Sequence, residues 1–338
     1  MKTTGQRWIL SATVSLAVTC AALVTHAQPA EKVFRIGVLF NSTPIEDMST
    51  TPPRNPNAAA LVEGLESRGW KRGRNIEILW RSAEQRLDRR AALIEELVRV
   101  PVDVLVVVSE VSAKIAMEKS RTIPIVMATS KDPVGAGVAA SLARPGGNVT
   151  GVTHEASRAL EAKRLSLLKE IAPGTTRVAF PMDVRAGREG LSPEVVAASR
   201  ALDLTIFIAG FETGDQIESA IDDAVRQGAN ALYVLDSRSS HNIPVNRKRI
   251  QQAAIRHRLP VMYGAALEGD LISYATPVGS EYRRAAHLVD RILRGAKPGE
   301  IPIEQPTEFQ LIVNLKVAKE IGLAIPSSIV LQADRVID

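Results

Sequence analysis

The stretch Val102-Asp103-Val104-Leu105-Val106-Val107-Val108 is apolar at successive positions apart from Asp103. A strand with one wet face alternates apolar and polar residues, so a continuous run marks a strand covered on both faces, as in a parallel sheet. Neighbouring segments share this pattern. Phe34-Arg35-Ile36-Gly37-Val38-Leu39-Phe40 and residues 76–80 read as strands before it, and 123–127 as a strand after it. Between them lie amphipathic helices: 57–68 with Ala60, Leu61, Gly64 and Leu65 on one face, a second marked by Leu87, Ala91, Ile94, Leu97 and Val98, and a third over 111–120. Alternation of this kind predicts a sheet with helices on both sides.

A second pass begins after the turn Arg144-Pro145-Gly146-Gly147-Asn148, with strands at 177–180, 204–208, 231–235 and 259–263 and helices between them. The predicted fold class is therefore α/β, with two Rossmann-like, doubly wound parallel-sheet lobes. The halves repeat a pattern and share no visible sequence identity. The remainder fits neither unit as a simple extension: a short strand at 271–274, a helix carrying Tyr282, Ala286, Val289 and Leu293, a strand at 309–313 and a helix at 314–321. Economy returns the first of these helices to lobe one and the last strand and helix to lobe two. The chain then crosses between lobes three times, near Gly151, Thr276 and Pro306. The expected bounds are 33–151 plus 276–303 for lobe one and 152–275 plus 306–338 for lobe two. Several short crossings make a hinge that lets the lobes close.

The N-terminus has a separate meaning. Lys2 and Arg7 precede an apolar run over 8–24, and Thr25-His26-Ala27 offers small residues for cleavage. Residues 1–27 read as a secretory signal peptide, so the mature chain is expected in the periplasm. The run contains Ser11, Thr13, Ser15 and Thr19 and is short for a membrane span. Thr19 is a poor residue to precede a lipidated cysteine. Cys20 is the only cysteine, so the mature chain has neither disulfide nor thiolate metal site. The formal net charge of +5 includes Lys2 and Arg7. No basic tract interleaved with aromatics appears, which argues against nucleic acid as a partner.

Catalytic and cofactor motifs are weak. Gly135-Ala136-Gly137-Val138-Ala139-Ala140 has dinucleotide-fingerprint spacing, but it follows the fourth strand and lies within a presumed helix. Ser166-Leu167-Leu168-Lys169 has acyl-enzyme spacing on an ordinary amphipathic helix, without partner motifs. The five histidines are scattered, so no metal site is expected. Binding without a cofactor is the expected role. Ligands of open α/β sheets sit beyond the carboxyl ends of the strands. That rule selects Asn41, Ser42, Ser109, Glu110, Thr129, Ser130, Met182, Asp183, Asp236, Ser237 and Tyr263, and His154 is a further candidate for ligand contact. Each has an alternative reading as a helix cap or loop polar group.

Three stretches carry a resemblance: Asp132-Pro133-Val134-Gly135-Ala136-Gly137, Ser141 through Gly151 (Ser-Leu-Ala-Arg-Pro-Gly-Gly-Asn-Val-Thr-Gly), and Ile303-Glu304-Gln305-Pro306-Thr307. Arg294-Gly295-Ala296-Lys297-Pro298 and Asn314-Leu315-Lys316-Val317-Ala318-Lys319 add to it. The chain resembles the ABC-transporter substrate-binding family that includes tryptophan and tyrosine binders. The resemblance implies the type I periplasmic binding-protein fold and a small-molecule ligand in the interlobe cleft. The expected partners are an inner-membrane ABC permease with its cytoplasmic ATPase, and the expected state is a monomer. The expected function is an uptake receptor, possessing no enzymatic activity, for a small organic solute such as an aromatic amino acid or related aromatic acid. A periplasmic sensory module feeding a signalling protein is the alternative. Where many members show Gly-Thr-Pro after the third strand, this chain has Ser109-Glu110-Val111, and the loop 264–270 is shorter than usual. A carboxylate in a closing cleft needs a partner, so Glu110 is expected to meet a cation or hydrogen-bond donor of the ligand.

Overall fold

Asp103, the one polar residue in the opening run, stands just ahead of its strand, because β3 covers Val104–Val108. Its carboxylate accepts the Arg35 backbone N–H at 2.8 Å and the Lys32 ammonium at 2.7 Å, so the charge is paired at the strand entrance. The computed structural model describes residues 32–153, 159–184, 191–235, 244–265 and 269–338; the signal-peptide reading lies outside them. Sheet one comprises β1 (Phe34–Phe40), β2 (Ile76–Ser82), β3, β4 (Ile125–Thr129) and β5 (Val149–Gly151). All pairs are parallel, in the order β2-β1-β3-β4-β5.

Helices in chain order are α1 (Ile45–Ser49), α2 (Pro56–Glu66), α3 (Arg90–Arg99), α4 (Glu110–Lys119), α5 (Ala159–Ile171) and α6 (Pro193–Ala201). Then come α7 (Ile217–Arg226), α8 (Pro244–His257), α9 (Ser280–Leu293), α10 (Leu315–Glu320) and α11 (Ser327–Gln332). The start of α2 follows from local chemistry. The Asn55 side chain accepts the N–H groups of Asn57 and Ala58, and Pro56 occupies the first helical position, where no donor is needed.

The apolar run of β3 serves two cores. Val104 and Val106 pack with Ile36, Val38, Leu61 and Leu65 on one face, while Leu105 and Val107 pack with Leu93, Ile94, Leu97 and Ala113 on the other. Each fully buried Val or Leu contributes about 1.5–3 kcal/mol relative to exposure, which is why the run tolerates no interior polar residue. The late helix α9 joins the first of these cores through Tyr282, Ala285, Leu288 and Val289. Its approach to α2 is close, since a Cβ on Gly64 would come within 2.7 Å of the Ala286 Cβ.

Sheet two contains β6 (Arg177–Asp183), β7 (Thr205–Phe211), β8 (Ala231–Val234), β9 (Val261–Tyr263), β10 (Ile272–Ala275), β11 (Gln310–Asn314) and β12 (Arg335–Ile337). Its order is β12-β11-β10-β9-β8-β6-β7, and β11 runs antiparallel to β10. From β7 to β10 it repeats the order of sheet one. Val178 and Phe180 face α5 and α6, and Ala179 faces α7 and α8. Between the sheets, Glu304 donates its N–H to the Gly151 carbonyl at 2.9 Å and accepts the Thr153 N–H at 2.8 Å. Arg284 of α9 holds the Glu304 carboxylate and the Thr307 hydroxyl, each at 2.9 Å.

Some local expectations differ from the structure. The presumed helix through 135–140 is a run of turns: Asp132 Oδ1 accepts the Gly135 N–H at 2.8 Å, and Gly137 takes φ +70°. Pro133 and two glycines favour turns over a helix here, so the fingerprint spacing has no helix N-terminus behind it. Leu87 belongs to a short 3₁₀ turn and is 47% exposed, and Ala91 is exposed, so α3 buries Leu93, Ile94 and Leu97 instead. The short strands β5 and β12 were not apparent from periodicity.

Candidate functional site

In the order β2-β1-β3, the chain leaves β1 and β3 in opposite directions, so a crevice opens beyond their carboxyl ends. Five of the residues singled out in the sequence come together there. Asn41 follows β1 and donates from Nδ2 to the Val108 carbonyl at 3.4 Å, while its Oδ1 is a buried acceptor with no hydrogen bond. Ser109 follows β3, and its N–H donates to the Thr129 carbonyl at 2.9 Å. The Ser109 hydroxyl accepts the Ser112 N–H at 3.3 Å and caps α4. Ser130 is buried and donates its hydroxyl to the Val152 carbonyl at 3.1 Å.

Ser109 has φ +85° and ψ 149°, a conformation that glycine adopts freely and other residues adopt under strain. Glu110 is not awaiting a partner, because its Oε2 accepts the Lys131 N–H at 3.0 Å and braces the loop after β4. That bond weakens the premise of the expected ligand cation, since one carboxylate oxygen already has a donor. Ser42 is exposed beside Asn41.

The second crevice lies at the matching place, between β6 and β8. Met182 is half-buried and Asp183 buried at the end of β6. Asp236, Ser237 and His154 lie outside the described residues. Tyr263 ends β9 but points into the lobe-two core, 1% exposed, with the Arg247 guanidinium 4.0 Å from its ring centre. Burial, reinforced by the Asp270 carboxylate, pushes its phenol well above the ordinary tyrosine range. Its ring is covered by the Arg247 guanidinium rather than open to the cleft.

Two buried arginines on this side escaped the sequence reading. Arg164 and Arg247 are each 2% exposed. A signal did exist, because Arg164 shares a helical stripe with Leu168 and Ile171, and Arg247 shares one with Ile250 and Ala254. An arginine on a core-facing stripe must have internal partners. Among the described residues, no group of three or more His, Cys, Asp or Glu side chains could hold a metal ion.

The sequence profile of the ABC transporter substrate binding protein family matches residues 50–337, and the chain belongs to that family. A tyrosine-binding protein of Clostridioides difficile strain R20291 is 24% identical over 286 residues, 82% of this chain and 80% of that protein. Among solved structures, an ABC domain in complex with L-Trp from Streptococcus pneumonia superposes with a TM-score of 0.74 at 20% identity, covering 90% of this chain and 100% of that one. The ligand-free, open structure of a Clostridium difficile substrate-binding protein with adhesive properties gives 0.67 at 21% identity, covering 90% and 99%. The fold is the type I periplasmic binding fold. Members of the family are extracytoplasmic solute-binding proteins that take a small-molecule ligand and deliver it to an ABC permease. Among the described residues, no helix is long and apolar enough to cross a membrane.

Proposed function

We propose that this chain is the periplasmic receptor of an ABC importer and binds an aromatic amino acid, or a related aromatic acid, between its two lobes. The observation that carries the reading is the repeated strand order, which gives each sheet its own switch-point crevice beyond the strand ends. A ligand in the cleft is met by polar groups at the strand ends of both lobes: Asn41, Ser109 and Thr129 from one, Asp183 and the Gly264–Ala265 backbone from the other. The tyrosine-binding relative supports the aromatic class. The protein acts as a monomer after cleavage of residues 1–27, closes on its ligand, and presents the closed form to a permease driven by a cytoplasmic ATPase. It carries out no chemistry on the ligand.

The test is a thermal-shift screen of the mature protein against amino acids and aromatic acids. A ligand at 100 times its dissociation constant adds about 2.7 kcal/mol of stability. L-tyrosine or L-tryptophan should raise the unfolding temperature while aliphatic and charged amino acids leave it unchanged. A shift confined to a non-aromatic solute would overturn the aromatic reading.

A further inference from the structure

The chain leaves sheet two at the end of β9 under the grip of two buried arginines. Arg164 lies on α5, which packs on one face of the sheet, and Arg247 lies on α8, which packs on the other. Arg164 donates from Nη2 to the Gly264 carbonyl at 2.7 Å, and Arg247 donates from Nη2 to the next carbonyl, that of Ala265, at 2.6 Å. Each guanidinium is itself held. Arg247 meets the buried Asp270 carboxylate through Nε at 2.9 Å and again through Nη2, and Gln251 supports the same carboxylate at 3.0 Å. Arg164 pairs with Glu161 at 3.1 Å, and Glu161 is bonded in turn by the Tyr233 hydroxyl. Arg164 also donates from Nε to the Tyr274 carbonyl at 2.7 Å, next to the end of β10 where the chain returns toward lobe one.

Burying two arginines carries a desolvation cost that their carboxylate and carbonyl partners do little more than offset. Apolar side chains of similar volume would fill the same space at equal or better stability. What apolar side chains cannot do is hold two consecutive carbonyls at one strand end. We propose that Arg164 and Arg247 are positioning residues for ligand binding: clamping Gly264 and Ala265 from opposite faces, they preset the lobe-two wall of the cleft, and Arg164 ties that wall to the second crossing. The inference rests on the reading of the cleft as the ligand site. A wall fixed before the ligand arrives spares the ordering cost of closure.

The test replaces the buried pair by apolar residues of similar size, in the double variant Arg247→Met with Asp270→Leu. Its readouts are unfolding temperature, amide exchange of the unliganded protein, and calorimetric titration with L-tyrosine and L-tryptophan. The expected result is an unfolding temperature near that of the wild type, amide exchange at Gly264, whose N–H donates to the Val234 carbonyl at 2.8 Å, faster by tenfold or more, and affinity lower by tenfold or more. Arg164→Met should speed exchange at both Gly264 and Ala275, because one side chain serves both places. A folded double variant whose exchange at Gly264 matches the wild type overturns the proposal, as does one with faster exchange but unchanged affinity. A wild type that binds neither probe refutes the aromatic reading instead. The exchange measurement then decides the clamp, and a non-aromatic solute found by thermal shift serves as the affinity probe.

Discussion

Ser109 provides the sharpest quantitative test, because its backbone and side chain pull in opposite directions. At φ +85° and ψ 149° it occupies a region that costs a residue with a Cβ about 1–3 kcal/mol. Its hydroxyl, at 3.3 Å from the Ser112 N–H, returns part of that as a helix cap. Ser109→Gly removes the strain, loses about 0.5–1 kcal/mol to the flexibility of the unfolded chain, and sacrifices only a few tenths as a cap. The sum favours the glycine variant by about 1 kcal/mol. Ser109→Ala keeps the strain and loses the cap, so it should be less stable than the wild type by about 1 kcal/mol. The gap between the two variants is then about 2 kcal/mol, and the loss of the nearby Ser112 hydroxyl contact at 3.4 Å is common to both. Urea unfolding with equal slopes measures it directly. Glycine no more stable than alanine would refute the strain argument.

Other expectations follow from single contacts. Glu110→Gln should lower stability by about 1 kcal/mol or less through the Lys131 N–H contact and change L-tyrosine affinity less than threefold in titration calorimetry; a loss of tenfold or more would restore the ligand as a partner of this carboxylate. Gly64→Val should destabilise by about 3 kcal/mol in urea unfolding, because even a Cβ would meet the Ala286 Cβ at 2.7 Å. Tyr233 and Tyr263 both have phenols raised by burial, so folding favours their neutral forms. That stability is intact below the unfolded tyrosine value of about 10 and declines above it. Ultraviolet difference titration should show that these two of the four tyrosines ionise only as the protein unfolds.

Much of the architecture was legible because parallel strands buried on both faces cannot hide. The run over 102–108 splits its side chains between two cores, and that demand fixes its composition. β5 and β12 are three residues each, too short for periodicity to register. The turns over 133–137 mimic a helix in composition, and only the Asp132 side-chain bond and the Gly137 conformation distinguish them. At the site, the strand-end rule gathered Asn41, Ser109, Glu110, Thr129 and Ser130 because it depends on sheet order alone. It misjudged Tyr263, whose side chain alternates inward at the last position of β9. It also passed over Arg164 and Arg247, since the rule looks at loops while these act from helices.

Isothermal titration of the mature protein with L-tyrosine and L-tryptophan tests the central claim most directly. One saturable site per chain for at least one of them, abolished when the cleft groups Asn41 and Asp183 are both replaced by alanine in a folded variant, is the predicted result. Tight binding of a non-aromatic solute with no heat from either aromatic amino acid would contradict it.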